Sequence, residues 1–259
     1  MLSDSERKRL YNNDELSPIE YYKKNRRADQ KTFQERLKII EKFCSPGLLL
    51  DIGTNIGTLL AVARERGWNA IGIDFNHRAA QYGATAYGVD IREVEFSNNG
   101  FANESVDLVL MNDVLEHLPD PLSVLREIQR LLRPGGKFFM STPDAGSGMC
   151  RIMGPSWIHY KPREHLVYYS RKSLAYALHK AGFNILWCKN VARYRSLESF
   201  IEKGSLYLPS LTSVRKLIPS FLTNRIILPL FFYDEVALLA EKQKDQPGNR
   251  TTQNPPEIP

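Results

Sequence analysis

Asp51, Gly53 and Gly57, in the run LLLDIGTNIGT, and Asp74, in GIDF, are the residues whose types and spacing most directly point to chemistry. Two glycines four positions apart stand where an apolar, strand-like run gives way to a helix-like one. Without a Cβ, each lets a ligand or a neighbouring strand approach the backbone. Asp74 ends the next apolar run, about twenty residues further on. A carboxylate at the carboxyl end of a parallel strand can accept two hydrogen bonds from the vicinal hydroxyls of a ribose, and charge-assisted bonds are the stronger kind. The pair of features points to a nucleoside. A dinucleotide is disfavoured, because its fingerprint sets three glycines so that a pyrophosphate rests on the helix N-terminus, and here Asn55 occupies the middle place. A plainer reading stays open, in which the glycines only pack a helix tightly on its strand.

The elements that must position these residues alternate along the chain. Apolar spacing predicts a helix from Ser17 to Phe43, through Phe33, Leu37, Ile40 and Phe43, stopped by Pro46 and Gly47. LLLDIG then reads as a buried strand and TLLAVARERG as a helix closed by Gly67. NAIGIDF is a second strand, Asn76 to Tyr87 a helix, VDIREVEF a short third strand, and VDLVLMND a fourth that is apolar on both faces and therefore central. Asp120 and Pro121 open a helix that RPGG ends, KFFMSTP is the fifth strand, Ser170 caps a further helix, and FNILWCKNV and DEVALLAEK are the sixth and seventh strands. Such alternation is the signature of an α/β sheet covered on both faces.

LLLDIGTNIGT, GIDF, VDLVLMNDVLEHLPDP, LLRPGGKFFMSTP and PREHLVYYS, in this order, resemble the class I S-adenosylmethionine-dependent methyltransferases. The likeness is to the broad subfamily that includes the ubiquinone-biosynthesis O-methyltransferases, and it covers about Leu48 to Val191. It implies a Rossmann-like, seven-stranded, mostly parallel sheet with a reversed last strand, to which DEVALLAEK corresponds, plus helical lid and cap segments. The expected divisions are a lid over 1–45, a cofactor-binding core over 46–195, a helical cap insertion over 196–232, the last core strand over 233–243 and a disordered tail over 244–259.

The resemblance also implies roles. Gly53, Thr54, Asn55 and Gly57 would hold the methionyl end of S-adenosyl-L-methionine, Asp51 its ammonium and Asp74 its ribose hydroxyls. Phe75 would lie beside the adenine, Asp90 and Ile91 at its edge, and Asn112 below the sulfonium. The family usually has glycine where Asn55 stands; asparagine tolerates left-handed backbone better than most residues do. Because the sulfonium methyl is already activated, positioning an acceptor supplies much of the acceleration, and a phenol or hydroxyl gains further from a base. His117, just beyond the fourth strand, and His165, in the loop after the fifth, are the catalytic candidates, with structural roles the alternative for each. Asp113, Glu116 and His117 have ligand types suited to a divalent ion, but three residues within five do not establish convergence, and no metal is expected.

Composition narrows the setting. At 259 residues, 42% hydrophobic and 25% charged, the chain can bury a sizeable core. Three cysteines without paired spacing fit a reducing compartment, and a charged N-terminal stretch unlike a signal peptide fits the cytoplasm. The formal charge of +6 is spread along the chain, the densest run being Lys23 to Arg27, and no nucleic-acid partner is expected. Over 211–232, apolar residues such as Leu211, Val214, Leu217 and Phe221 lie near Arg215, Lys216 and Arg225, a pattern suited to peripheral membrane contact and a lipid-like acceptor as well as to a packed cap. The expected activity is methyl transfer to oxygen, less readily to nitrogen, of a small or lipid-like molecule; the alternative is a cofactor-binding but inactive interaction module. Oligomeric state leaves no mark in the sequence.

Overall fold

The computed structural model describes residues 19–205, 218–230 and 234–243, together with Glu6, Arg9, Ser210 and Ser213. Seven strands form one sheet: β1 (Leu48–Ile52), β2 (Asn69–Ile73), β3 (Asp90–Arg92), β4 (Val106–Asn112), β5 (Leu132–Pro143), β6 (Phe183–Asn190) and β9 (Glu235–Lys242). Their order is β3-β2-β1-β4-β5-β9-β6. Strands β1 to β5 pair in parallel, and β9 runs antiparallel to both β5 and β6. The reversed last strand is thus where the family resemblance implied.

Alternation along the central strands builds the two halves of the core. From β4, Val109 and Met111 enter one face with Phe138 and Met140 of β5 and Leu238 of β9. Leu108 and Leu110 enter the other with Phe139 and Leu239. The first face is covered by α4 (Pro121–Leu131) and α6 (Arg171–Lys180), the second by α1 (Ile19–Ile40) and α2 (Thr58–Glu65). Helix α3 (His77–Tyr87) follows β2, and the short α5 (Gly148–Met153) follows β5. Helix starts follow local chemistry: the Asp120 carboxylate accepts from Ser123 N with Pro121 in the first turn, and Ser170 and Ser173 form a capping box.

Three expectations change at their edges. The first helix is shorter than Ser17–Phe43, giving way to a turn after Ile40. RPGG belongs to β5 rather than to the end of α4: the ladder slips between Val106 and Leu108, and Gly135 takes φ 77 in the excursion. The insertion over 196–232 is not wholly helical. After β7 (Arg193–Ser196) and α7 (Leu197–Gly204), α8 (Ser220–Thr223) leads into β8 (Ile227–Leu230), which pairs antiparallel with β7. Leu211, Val214, Arg215, Lys216 and Leu217 lie outside the described residues, as does the tail from 244. No helix among the described residues is long and apolar enough to cross a membrane.

Helix α1 is fastened to the sheet by polar contacts as well as by Leu37 and Ile40. The Arg36 guanidinium reaches both the Asn112 side chain and the Glu235 carboxylate. Arg195 donates to Asp29 at 3.0 Å, and Tyr194 N donates to Thr32 Oγ1 at 3.0 Å. Arg193 bridges Asp113 and Glu235. Burial alone would raise Glu235, but Arg193 and Arg36 more than offset it and bring it down to about 2. Removing this carboxylate leaves the buried Arg36 guanidinium without a carboxylate and Arg193 with Asp113 alone. Glu235→Ala is therefore expected to lose about 3–5 kcal/mol of unfolding free energy, measured by denaturant titration; a loss below about 1 kcal/mol would show that the guanidiniums are solvated instead.

Candidate functional site

A cavity of about 780 Å³ opens at the carboxyl ends of β1, β2 and β4, where ligands settle in open α/β sheets. Its first half is the turn after β1. Gly53 and Gly57 have φ 72 and 73, and Asn55 between them has φ 51. A Cβ on Gly53 would lie 2.5 Å from Val114 Cγ2, and one on Gly57 would lie 2.7 Å from Val89 Cγ2. Gly53 therefore shapes the cavity wall, whereas Gly57 lets the start of α2 pack on the β3 side and does not itself line the cavity. Asn55 meets its left-handed backbone with a local bond, its Oδ1 accepting from Ile56 N at 2.8 Å.

Asp74 joins this turn to the end of β2. Its carboxylate accepts from Asn55 N at 2.7 Å and from Asn76 N at 2.9 Å. Burial raises its pKa, partly countered by these backbone donors. Asp51 lies beneath the turn, fully buried, and burial pushes it up to about 7, with the Thr54 hydroxyl pulling the other way. Phe75 is partly exposed at the cavity edge. Asp90 and Ile91 are not among the lining residues: Ile91 packs toward Gly57 and Gly83, and the wall beyond β2 is made by Val94, Glu95, Phe96 and Ser97 instead.

The second half gathers residues distant in sequence. His117 Nδ1 lies 2.9 Å from the Glu164 carbonyl oxygen. A carbonyl only accepts, so Nδ1 carries the proton and Nε2 the lone pair. The Glu116 carbonyl accepts from Leu166 N and Val167 N. These bonds draw the His165 loop against the end of β4 and set the His117 and His165 rings edge to face, 4.8 Å apart. Burial, then Lys161, takes His165 down to about 4, so it is neutral at neutral pH. Glu116, buried with Thr142 Oγ1 donating to Oε2 at 3.0 Å, is pushed up to about 7.

Ligand atoms of Glu116, His117 and His165 lie within 4.8 Å of one another, a set whose types could hold a divalent ion. Asp113, the third member of the sequence trio, is engaged by Arg193 and Ser141 instead. Residues that sequence reasoning missed complete the cavity: Tyr21, Asp29, Thr32 and Arg36 from α1, Arg193 and Arg195 from β7, and His159. The four on α1 fall within the lid expected over 1–45. His159 lies 3.6 Å from Asp234, which accepts from the Trp157 indole N–H at 3.0 Å.

This strand order, with β9 reversed and a carboxylate joined to a left-handed glycine turn, defines a Rossmann-like enzyme fold built to hold a nucleoside cofactor. The chain matches the family model of a methyltransferase domain over residues 22–187, more than half its length, and it belongs to that family. Among curated proteins it is 37% identical over 100 residues to the ubiquinone biosynthesis O-methyltransferase of Aeromonas salmonicida (strain A449), covering 36% of this chain and 42% of that protein. It is 36% identical over 100 residues to the protein of the same name from Pseudomonas aeruginosa (strain UCBPP-PA14), covering 36% and 43%. The chain thus spans less than half the length of the curated relatives it matches. Among solved structures, a possible histamine N-methyltransferase of Thermotoga maritima superposes with a TM-score of 0.58 at 16% identity, covering 91% of this chain and 99% of that one. A putative methyltransferase of Bacillus halodurans C-125 does so with 0.60 at 15%, covering 82% and 99%. These two likenesses speak for the fold alone.

The cofactor that goes with this membership is S-adenosylmethionine, and the donor set fits it. The Gly53 cradle would be closed by any side chain, and two buried carboxylates stand at separate places along the cavity, one suited to an ammonium and one to a ribose. Two outcomes follow. Asp51 holds its proton up to about pH 7, yet an ammonium favours the ionised carboxylate. Cofactor affinity is therefore expected to rise from about pH 5.5 to about pH 7.5, with a proton released on binding below pH 7; calorimetry in buffers of different ionisation enthalpy reads both, and a flat profile would exclude the Asp51–ammonium contact. Asp74→Ala is expected to weaken binding at least tenfold (~1.4 kcal/mol). Because Asp74 also holds Asn55 N and Asn76 N, amide exchange at those two positions should quicken in the same variant; unchanged affinity would end the ribose assignment.

Proposed function

We propose that this chain transfers a methyl group from S-adenosylmethionine to a hydroxyl, most readily a phenolic one, of a small or lipid-like molecule. The observation that carries the reading is His117: its ring is oriented by the Glu164 carbonyl, which puts the proton on Nδ1, in the wall of the cavity that also contains the glycine turn. When bound, the cofactor supplies a methyl group already activated on a sulfonium. The residues of the chain then have three tasks: to hold the acceptor in line, to exclude water and to take the acceptor's proton. His117 Nε2 takes that proton. His165, kept neutral by burial, packs its ring against His117 and holds it in place. A phenol as acceptor is supported by the relatives' name, O-methyltransferase, and by the presence of a base, which an amine acceptor needs less.

The inactive alternative loses its motive, because Asn55 keeps the left-handed turn and supports it with its own side chain. A lipid-like acceptor is supported by Leu222, Ile226 and Leu228, all exposed around an exposed Arg225.

The test is turnover of the purified chain with S-adenosylmethionine and a panel of phenols, alkyl-substituted phenols and amines, with and without anionic phospholipid vesicles. Phenols are expected to be methylated, alkyl-substituted ones faster on vesicles. His117→Gln is expected to lower kcat by about 10²–10⁴-fold at neutral pH and less for phenols of low pKa. Methylation confined to amines, or full activity of His117→Gln, would overturn the assignment.

A further inference from the structure

Asn112 ends β4 one step beyond the Ile52–Met111 pair, beside the glycine turn, and on its other side it pairs with Ser141 of β5. It therefore stands at the seam between the cofactor half and the histidine half of the cavity, which it lines. Its amide is already half committed, because Arg36 Nη1 donates to Oδ1. A guanidinium has only donors to offer, so the amide cannot be turned round. Nδ2, the donor end, is fixed at the opposite side, and there it is buried with no hydrogen-bond partner. A buried N–H group without an acceptor is unfavourable until something supplies one.

We propose that Asn112 Nδ2 donates a hydrogen bond to the acceptor oxygen that receives the methyl group, and so selects an oxygen nucleophile over an amine. The inference rests on the hydroxyl-methylating function argued above and assigns one residue of specificity within it. The phenolic proton goes to His117 Nε2. The oxygen forms the new O–C bond while the C–S bond breaks and its electron pair stays on sulfur. An N–H donor stabilises a phenolate more than a phenol, because the ionised oxygen is the better acceptor. Towards an ammonium, or an amine presenting its own N–H groups, the same donor is unhelpful. Arg36 contributes by holding Oδ1, so that Nδ2 is the end of the amide left to be satisfied.

The experiment uses 4-nitrophenol, whose phenolate absorbs visible light, bound to the full chain saturated with S-adenosylhomocysteine so that no turnover occurs. The pH at which the bound phenol ionises is compared with that of the free compound in wild type, Asn112→Leu and Asn112→Asp. Asn112→Asp can still accept from Arg36, so at least one variant keeps that contact and the fold around it. In wild type the bound phenol is expected to ionise below the free value. Asn112→Leu is expected to raise its pKa by about one unit, and Asn112→Asp by more. The same bound pKa in all three proteins would overturn the inference. So would an unchanged bound pKa together with a tenfold or greater loss of S-adenosylhomocysteine affinity in Asn112→Leu, which would assign the side chain to the cofactor. Failure of wild type to bind 4-nitrophenol at all would instead bring down the phenol reading, and this inference with it.

Discussion

The burial of one carboxylate between two guanidiniums organises the end of the sheet where β4 and β9 meet the first helix. Glu235 opens the last strand of the sheet, Arg36 comes from the first helix and Arg193 from the short ladder after β6. None of the three could be buried alone without a large desolvation cost. Together they fix where α1 crosses the sheet, where β7 leaves it, and how the ends of β4 and β9 face each other. Arg36 and Arg193 then reach Asn112 and Asp113, so the charge cluster also shapes the floor of the cavity.

The cofactor side is held differently, by backbone. Asn55 N and Asn76 N converge on Asp74, and positive φ at Gly53, Asn55 and Gly57, with no Cβ on the two glycines, keeps the turn open. Asp51, beneath it, holds its proton to about pH 7 because nothing cationic offsets its burial enough. A buried carboxylate with too little positive charge beside it is the kind of group that an ammonium satisfies better than a neutral ligand of the same shape does.

How much of this could be read from the sequence follows from the range of each interaction. The glycine turn, the strand-end Asp74, the caps at Asp120 and Ser170 and the buried pattern of β4 are local signals, and they were legible. The reversed place of β9 came from resemblance, not from its own residues, since DEVALLAEK shows only that it is a buried strand. The Arg36 contacts were not legible, because their partners lie 76 and 199 positions away. Arg36 reads as a surface residue of a helix until the sheet brings Glu235 to it. The β7–β8 ladder hid in the same way, within a stretch whose prolines and basic residues read as a helical cap. Beyond β2, which is followed by a β3 of only three residues, the cavity wall is Val94 to Ser97, and the expected Asp90 and Ile91 do not line it.

The place of β9 between β5 and β6 sets the order in which the molecule can be completed. A nascent chain that has emerged only as far as Leu230 has every strand of the cofactor half, yet β5 lacks the neighbour that covers Phe138, Phe139 and Met140 along that edge. Until β9 arrives, β5 presents an apolar edge of the kind that pairs with other chains. The glycine turn and its carboxylates draw on strands that precede β9, whereas the Arg36 and Arg193 contacts must wait for Glu235. Synthesis thus passes through a stage in which β1 to β4 and the Asp74 turn are present and the Glu235 cluster is not, and there a chaperone has the most to protect.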